Sequence, residues 1–530
     1  MDRRGLLRAT GTAIGVFGGA QLVGAQSAQA VTGGGPVVNV LDYKPAGTDD
    51  TTAFHNAFDG NPGATVLIPP GTYTLTMGVR LTAGTTVVAY GARIVRGADA
   101  CSALLHNVNG GVEVPGYTGP GRISVLGGTW DMAGATLTRQ TDAFAFAHAA
   151  DLLIRDCVIV NVPSAHAIEL NAVRGVRVLD CVFEGMSTAF GTDKEAVQIT
   201  GATSSANLPA PPYDLTPCVD VLVSGCTLRP PTAAGYANFG ALCGDHGGAA
   251  GMVHSNVRVV GNRIEGATLA AVRVVDWQRS VVSGNTIESA SNAGIDVRSL
   301  ASNPMAGLLI QGNTITGTGN GGSLSGGITV SGRAEAPITG LVVSGNAVAN
   351  TQGEHGMYVG YAPQAVVTGN TVNRTLRNDK ASNCQAVQLD YSPGSVLTDN
   401  TATDIAGDGL FVNASTGSLV SGNRVTNCAT HGLAASSDDL AVRNNVFSGL
   451  NTDGAADKYG IRVGANAKNA SVQGNVVRRS GAAQDAAAAV AVMAGSNGTW
   501  VTGNDLRGWG AAALLNQGTG TLTGSTDNLS

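Results

Sequence analysis

Along most of this chain, apolar residues come in short runs that alternate with polar ones at period two rather than at helical spacing. Runs of the form Gly/Ala-apolar-x-apolar recur as "AIEL", "AVQI", "AVRV", "GIDV", "GITV", "GMYV", "AVQL", "GLFV" and "GIRV". Alternation turns the apolar positions to one face of a strand and x to the other. A second run, slightly earlier in each repeat, carries an asparagine, as in "VVGNRI", "VSGNTI", "IQGNTI", "VSGNAV", "VTGNTV" and "VSGNRV". Two short strands per repeat are therefore expected. Val, Ile and Thr, with Gly-Asn bends between strands, favour this over a helical repeat.

The asparagines are Asn262, Asn285, Asn313, Asn346, Asn370, Asn400, Asn423, Asn445, Asn475 and Asn504, with the tightest steps 22 to 24 residues. A fixed period of this size marks a solenoid whose turns bury their apolar faces on one another. Further back the same slot holds Cys226, Cys181 and Cys157, giving thirteen turns. The pattern predicts an all-β fold, a right-handed parallel β-helix of thirteen or more turns, with asparagines and cysteines stacked as an internal ladder at one corner. Stacked amides can bond to one another and so satisfy polar groups that would be costly if buried alone.

Composition narrows the class. The chain has 530 residues, 75 glycines, only 13% charged residues and a net charge of −6. An acidic chain without a basic face is a poor partner for nucleic acid. Met1-Asp2-Arg3-Arg4-Gly5-Leu6-Leu7-Arg8, an apolar Gly/Ala-rich stretch to about Gly24 and a small-x-small Ala28-Gln29-Ala30 resemble a twin-arginine export signal. That resemblance implies a secreted protein, extracellular or periplasmic, released after residue 30. The stretch is too interrupted to remain as a membrane span, and no later segment qualifies. Ladder positions make Cys157, Cys181 and Cys226 small buried apolar residues rather than disulfide partners. Sequence does not pair Cys101, Cys218, Cys243, Cys384 and Cys428.

Residues 31–75 have a different texture. Asp49-Asp50-Thr51-Thr52 reads as a helix start, followed by a short helix over Ala53 to Phe58, and "TVLIPPGTYTL" reads as strand, Pro-Pro-Gly turn, strand. This arrangement resembles the amino-terminal cap of the pectate-lyase superfamily of β-helices. The expected layout is a signal at 1–30, a cap at 31–75, the β-helix at 76–514 and a frayed tail at 515–530. Insertions at 228–238, 317–326, 351–355, 374–384, 449–458 and 201–217 are expected to wall the outward face of the second strand.

On that face the x positions read Glu169, Gln198, the "CGDHG" segment, Arg273, Asp296, Thr329, Tyr358, Gln388 and Phe411. Near them lie Lys194, Glu195, Asp245, His246, Asp276, Trp277, Arg298, Asp390 and Tyr391. With turns ~4.8 Å apart, the charges span a patch on the order of 15 Å long. Carboxylates flanking a bond suit glycoside hydrolysis, and aromatic faces suit sugar rings. The expected catalytic residues are Asp276 and Asp296 as the acid/base pair, one turn apart, with Asp245, Glu195 and His246 as partners or substitutes. Arg273, Arg298, Lys194, Gln198, Trp277, Tyr358, Asp390 and Tyr391 are expected to bind substrate. His166, His355 and His431 sit at corners and are expected to bond to backbone.

The reading is a secreted, monomeric polysaccharide-cleaving enzyme, with hydrolysis preferred. The alternatives are β-elimination on a uronic-acid polymer, which would admit calcium, and a non-catalytic glycan- or surface-binding β-helix. No cofactor or metal is specified by the residues. Polygalacturonases of the superfamily carry Asn-Thr-Asp, Asp-Asp, Gly-His-Gly and Arg-x-Lys on successive turns. Asn451-Thr452-Asp453 matches the first in letters only, in a late loop without the others. Alginate-epimerase and calcium-dependent pectate-lyase runs are absent.

Overall fold

A computed structural model describes residues 35–108, 112–137, 139–189, 191, 193–204, 210–245, 247–300, 303–319, 326–377, 384–479, 486–523 and 528–529. All fall within one compact unit, Gly33–Ser530. The expected export signal at 1–30 and His246 lie outside the described residues.

The chain is a right-handed parallel β-helix. Each turn runs through three strands, not the two expected. Among the described residues sheet A has 19 strands, sheet B 15 and sheet C 16, and a fourth sheet pairs Met305–Ala306 with Ile338–Thr339. The repeat read as one asparagine-bearing strand is two. In one turn Ser280–Ser283 lies in sheet A and Thr286–Glu288 in sheet B, with Asn285 at the corner between. Gly284, at φ 62°, makes that bend, and Gly261, Gly312, Gly345 and Gly369 repeat it at φ 61° to 66°. A left-handed backbone costs glycine little, which is why Gly precedes the asparagine so often.

The asparagine corner is a continuous ladder. Asn285 Oδ1 accepts from the backbone N–H of Asn262 (3.0 Å) and from its Nδ2 (2.9 Å). Asn285 Nδ2 in turn donates to Asn313 Oδ1 (2.9 Å) and to Val259 O (2.9 Å). The pattern repeats through Asn504, whose Nδ2 donates to Asn528 Oδ1. The ladder thus reaches one rung beyond the expected series, into the segment read as frayed, where Leu514–Asn516 and Leu522–Thr523 also pair with earlier strands. At the other end Cys226 N donates to Asn262 Oδ1, and Cys181 and Cys157 continue the line as buried thiols.

The Asp50–Asp59 helix is capped by Asp49, whose Oδ1 accepts from Thr52 N at 2.9 Å, and it buries Ala53, Phe54, Ala57 and Phe58. Strands Thr65–Leu67 and Gly71–Leu75 already belong to sheets A and B, so Pro-Pro-Gly is the first corner of the coil. One apolar core runs the length of the coil.

Candidate functional site

Sheet C carries the expected outward column. Strand register places Ala145, Glu169, Gln198, Gly244, Arg273, Asp296, Thr329, Tyr358, Gln388 and Phe411 side by side on successive turns. Three residues ahead of Ala145, Glu169 and Gln198 lie Asp142, His166 and Glu195, the first two just before their strands and Glu195 opening its own, in register with Ala241.

The two sets meet in one charged cluster. His166 Nδ1 lies 3.1 Å from Asp142 Oδ1 and 3.2 Å from Glu169 Oε2, and its Nε2 faces Glu195 Oε2 at 3.7 Å. The His166 backbone N–H donates to Asp142 Oδ1 at 2.9 Å. Glu195 Oε1 accepts from Arg273 Nη1 at 2.7 Å across two turns. Gly244 permits this reach: a Cβ there would sit 2.5 Å from both the Cβ and the carbonyl oxygen of Arg273. Arg273 therefore lies over a turn that presents no side chain.

Burial alone would depress the His166 imidazole, but its bonds to Asp142 and then Glu169 outweigh burial and raise it to about 10. Burial pushes Glu169 up to about 7, with His166 opposing. Asp142 and His166 keep 17% and 12% of their side chains exposed, while Glu169 keeps 2%, so solvent reaches the cluster from the Asp142 side. The ligand atoms of Asp142, His166 and Glu169 all lie within 4.8 Å of one another.

Not every expected site residue belongs here. Asp296 faces outward but is held by Arg298 Nε at 2.8 Å. Asp276 does not face outward. It turns at φ 51° into the corner between sheets C and A, is 1% exposed, and accepts from Leu300 N and Asn303 Nδ2. The expected Asp276–Asp296 pair is therefore not formed on the face. Asp245 is also buried at that corner, where His254 Nε2 lies 3.5 Å away and Gly247 N donates to it. Trp277 is fully buried in sheet A and offers no stacking surface. The misplacements of Asp276 and Trp277 have one cause: strand alternation was carried past the strand end, where the backbone turns over at the left-handed Asp276.

Lys194 lies beside Asp193 at 3.4 Å, and Gln198 is buried next to Glu169 in the column. Further down, Tyr358 stacks on His355 (5.5 Å), and burial followed by Asp390 pushes its phenol up to about 12. Asp390 accepts from Gln388 and Asn413, and Tyr391, half-exposed, stacks on Tyr361 at 4.9 Å and 6°. His431 does bond to backbone, accepting from Tyr459 N at 3.0 Å. His166 does not follow that expectation, because carboxylates face both ring nitrogens. Asp142 and the role of His166 were missed, though their 24-residue separation is one turn of the coil.

A family model described as a right-handed β-helix region matches residues 123–340 and 326–506. Comparison with curated proteins returns no match. Among solved structures, PfbA, a surface adhesin of Streptococcus pneumoniae, is similar at 19% identity over 78% of this chain and 92% of its own, with a TM-score of 0.56. A tailspike protein of E. coli bacteriophage HK620, in complex with a hexasaccharide, shares 14% identity over 92% of this chain and 80% of its own (TM-score 0.47). A family 28 exopolygalacturonase of Yersinia enterocolitica shares 12% over 83% and 78% (TM-score 0.41). Among the described residues no helix is long and apolar enough to cross a membrane.

Proposed function

The chain belongs to the right-handed β-helix family, and from that premise we propose that it is a secreted, monomeric enzyme that cleaves glycosidic bonds on the outer face of sheet C. The observation that carries this reading is Glu169, a carboxyl group raised to about 7 by burial beside a histidine raised to about 10. Groups whose surroundings push their protonation apart in this way suit acid/base work near neutral pH.

Glu169 is assigned the proton donor to the glycosidic oxygen as the C–O bond breaks. Asp142 supplies the second carboxylate. Its nearest ligand atom lies within 4.8 Å of that of Glu169, close to the ~5–5.5 Å of glycosidases that retain configuration through a covalent intermediate. In that scheme Asp142 attacks the anomeric carbon, and water later releases the sugar with Glu169 acting as base. Arg273 and Glu195 fix the His166 ring, while Gln198, Lys194, Asp296 with Arg298, Tyr358, Asp390 and Tyr391 line the path for flanking sugars.

Screening acidic and neutral polysaccharides for new reducing ends and for absorbance of unsaturated uronate tests this. Glu169→Gln should lower turnover by roughly 10²-fold or more. Unchanged turnover would overturn the assignment, and unsaturated product would replace hydrolysis by β-elimination. A second reading, glycan binding without cleavage, is favoured by the stacked Tyr361–Tyr391 pair beside Asp390, several turns from the cluster. It predicts oligosaccharide binding that survives Glu169→Gln, with no products.

A further inference from the structure

The cluster around His166 has a geometry that hydrogen bonding alone explains poorly. A ring nitrogen carries at most one hydrogen, yet two carboxylate oxygens converge on Nδ1, Asp142 Oδ1 at 3.1 Å and Glu169 Oε2 at 3.2 Å. Those are ordinary separations between neighbouring ligand atoms around a metal ion, since bonds of ~2.0–2.2 Å set them about 3.0–3.5 Å apart.

A second observation is independent of that spacing. Among the described residues Glu169 Oε1 has no hydrogen-bond partner, although the side chain is only 2% exposed. An ionised oxygen left this way is costly to bury, and a cation removes the cost. The surroundings fit as well. Nε2 of His166 faces Glu195 Oε2 at 3.7 Å, beyond hydrogen-bond distance but within ion-pair reach, and Glu195 is itself held by Arg273, so a carboxylate backs the ring on the side away from Nδ1. This is the outer support that metal-binding histidines commonly have.

The coil contains its own comparison. At Asp408–His431 the same corner recurs, with the histidine backbone N–H donating to the aspartate at 3.0 Å. There, however, Nδ1 accepts a backbone N–H from Tyr459, which leaves that nitrogen committed. At His166 the position facing Nδ1 is occupied by carboxylate oxygens instead.

We propose that Asp142, His166 and Glu169 form a binding site for a divalent first-row transition-metal ion of the zinc or manganese class, with Glu195 as the residue that positions the imidazole. One nitrogen and two carboxylates suit such ions better than a calcium cage of six to eight oxygens. Three protein ligands leave coordination positions for water or a substrate oxygen on the exposed Asp142 side. The inference concerns the same cluster as the proposed glycosidic cleavage, where ion and proton are alternatives for Glu169, but ion binding is measured with no glycan present and stands or falls separately.

The test is calorimetric titration of the chelator-stripped full chain with ZnCl2 and with MnCl2. One equivalent should bind with micromolar or tighter affinity to at least one of the two. Glu169→Gln, which preserves shape, and His166→Gln should each weaken that event by 10-fold or more, while His431→Gln leaves it unchanged. Visible absorption of the Co2+ form should show bands that Glu169→Gln alters, a readout that a general loss of stability does not imitate in a variant whose urea midpoint is retained. Absence of a one-equivalent event, or equal affinity in wild type and Glu169→Gln, overturns the proposal.

Discussion

Replacing Asn313 by leucine isolates what the asparagine ladder contributes. The Asn313 side chain makes four bonds: Oδ1 accepts from the Asn285 backbone N–H and Nδ2, and Nδ2 donates to Val282 O and Asn346 Oδ1, all at 2.9–3.0 Å. Leucine removes all four. Asn285 Nδ2 retains Val259 O, and Asn346 Oδ1 retains the backbone N–H of residue 313. The buried Asn285 backbone N–H loses its acceptor, which costs ~1–3 kcal/mol, and the other three losses cost ~0.5–1.5 kcal/mol each. Burial of the leucine returns ~1.5–3 kcal/mol. The net expectation is a loss of about 2–4 kcal/mol. Urea unfolding should be followed by fluorescence and circular dichroism together, because solenoids can unfold in segments and coincident transitions are needed to compare midpoints. Thr314→Leu, one residue along on the exposed side, is the control. A midpoint for Asn313→Leu equal to that of Thr314→Leu would refute the account of the ladder as structural hydrogen bonding.

Three further outcomes follow from the site and the core. Glu169, raised to about 7, binds its proton more tightly folded than unfolded, so its contribution is full below about pH 4 and lost as pH rises through 7. The His166 contribution is full below about pH 6.5 and lost through 10. Glu169→Gln should therefore flatten the fall in urea midpoint between about pH 4 and 7, and an unaltered slope there contradicts the burial argument. Gly244→Ala forces a Cβ against Arg273 and should cost ~1–3 kcal/mol, whereas Gly247→Ala, whose nearest neighbour would be 4.0 Å away, should be tolerated; equal urea midpoints for the two would remove the case for a packed Arg273–Glu195 bridge. All eight cysteines are buried thiols, so a thiol reagent should label none in the native protein and all eight after unfolding, and rapid native labelling of Cys157, Cys181 or Cys226 argues against the inward line.

The coil was legible because its signals are periodic and local. Ten asparagines in one slot, Gly before most of them, and apolar-x-apolar runs fix both the stacking and the face on which Arg273, Asp296 and Tyr358 lie. The third sheet was not legible, since the Gly-Asn bend divides a run that reads as continuous β. Asp276 and Trp277 failed for a related reason: a left-handed residue at the strand end inverts the side on which the next residues fall, and period-two counting has no means of registering it. Asp142 was hidden because the strand after it, Phe144–Ala147, is buried at every position and shows no alternation that would mark its outward side. Register across turns recovers it, since Phe144 pairs with Ile168 and so sets Asp142 beside His166.

The ladder also has a direction. Each asparagine rung from Asn262 to Asn504 donates its backbone N–H and its Nδ2 to the oxygen of the next rung toward the carboxyl terminus, ending on Asn528, and Cys226 starts the series with its backbone N–H alone. A ribosome delivers these rungs in the order in which they need one another last. At every stage of synthesis the newest completed turn holds two donors whose acceptor has not yet been made, while the turns behind it are already sealed. The growing edge is thus always open to water or to another chain's amides, and it closes only as the next asparagine arrives. Shortening the coil from its carboxyl end recreates that edge permanently; shortening it from the amino end instead takes away the donors to the first asparagine's oxygen and the carbonyl that its Nδ2 reaches, as Val259 O is for Asn285.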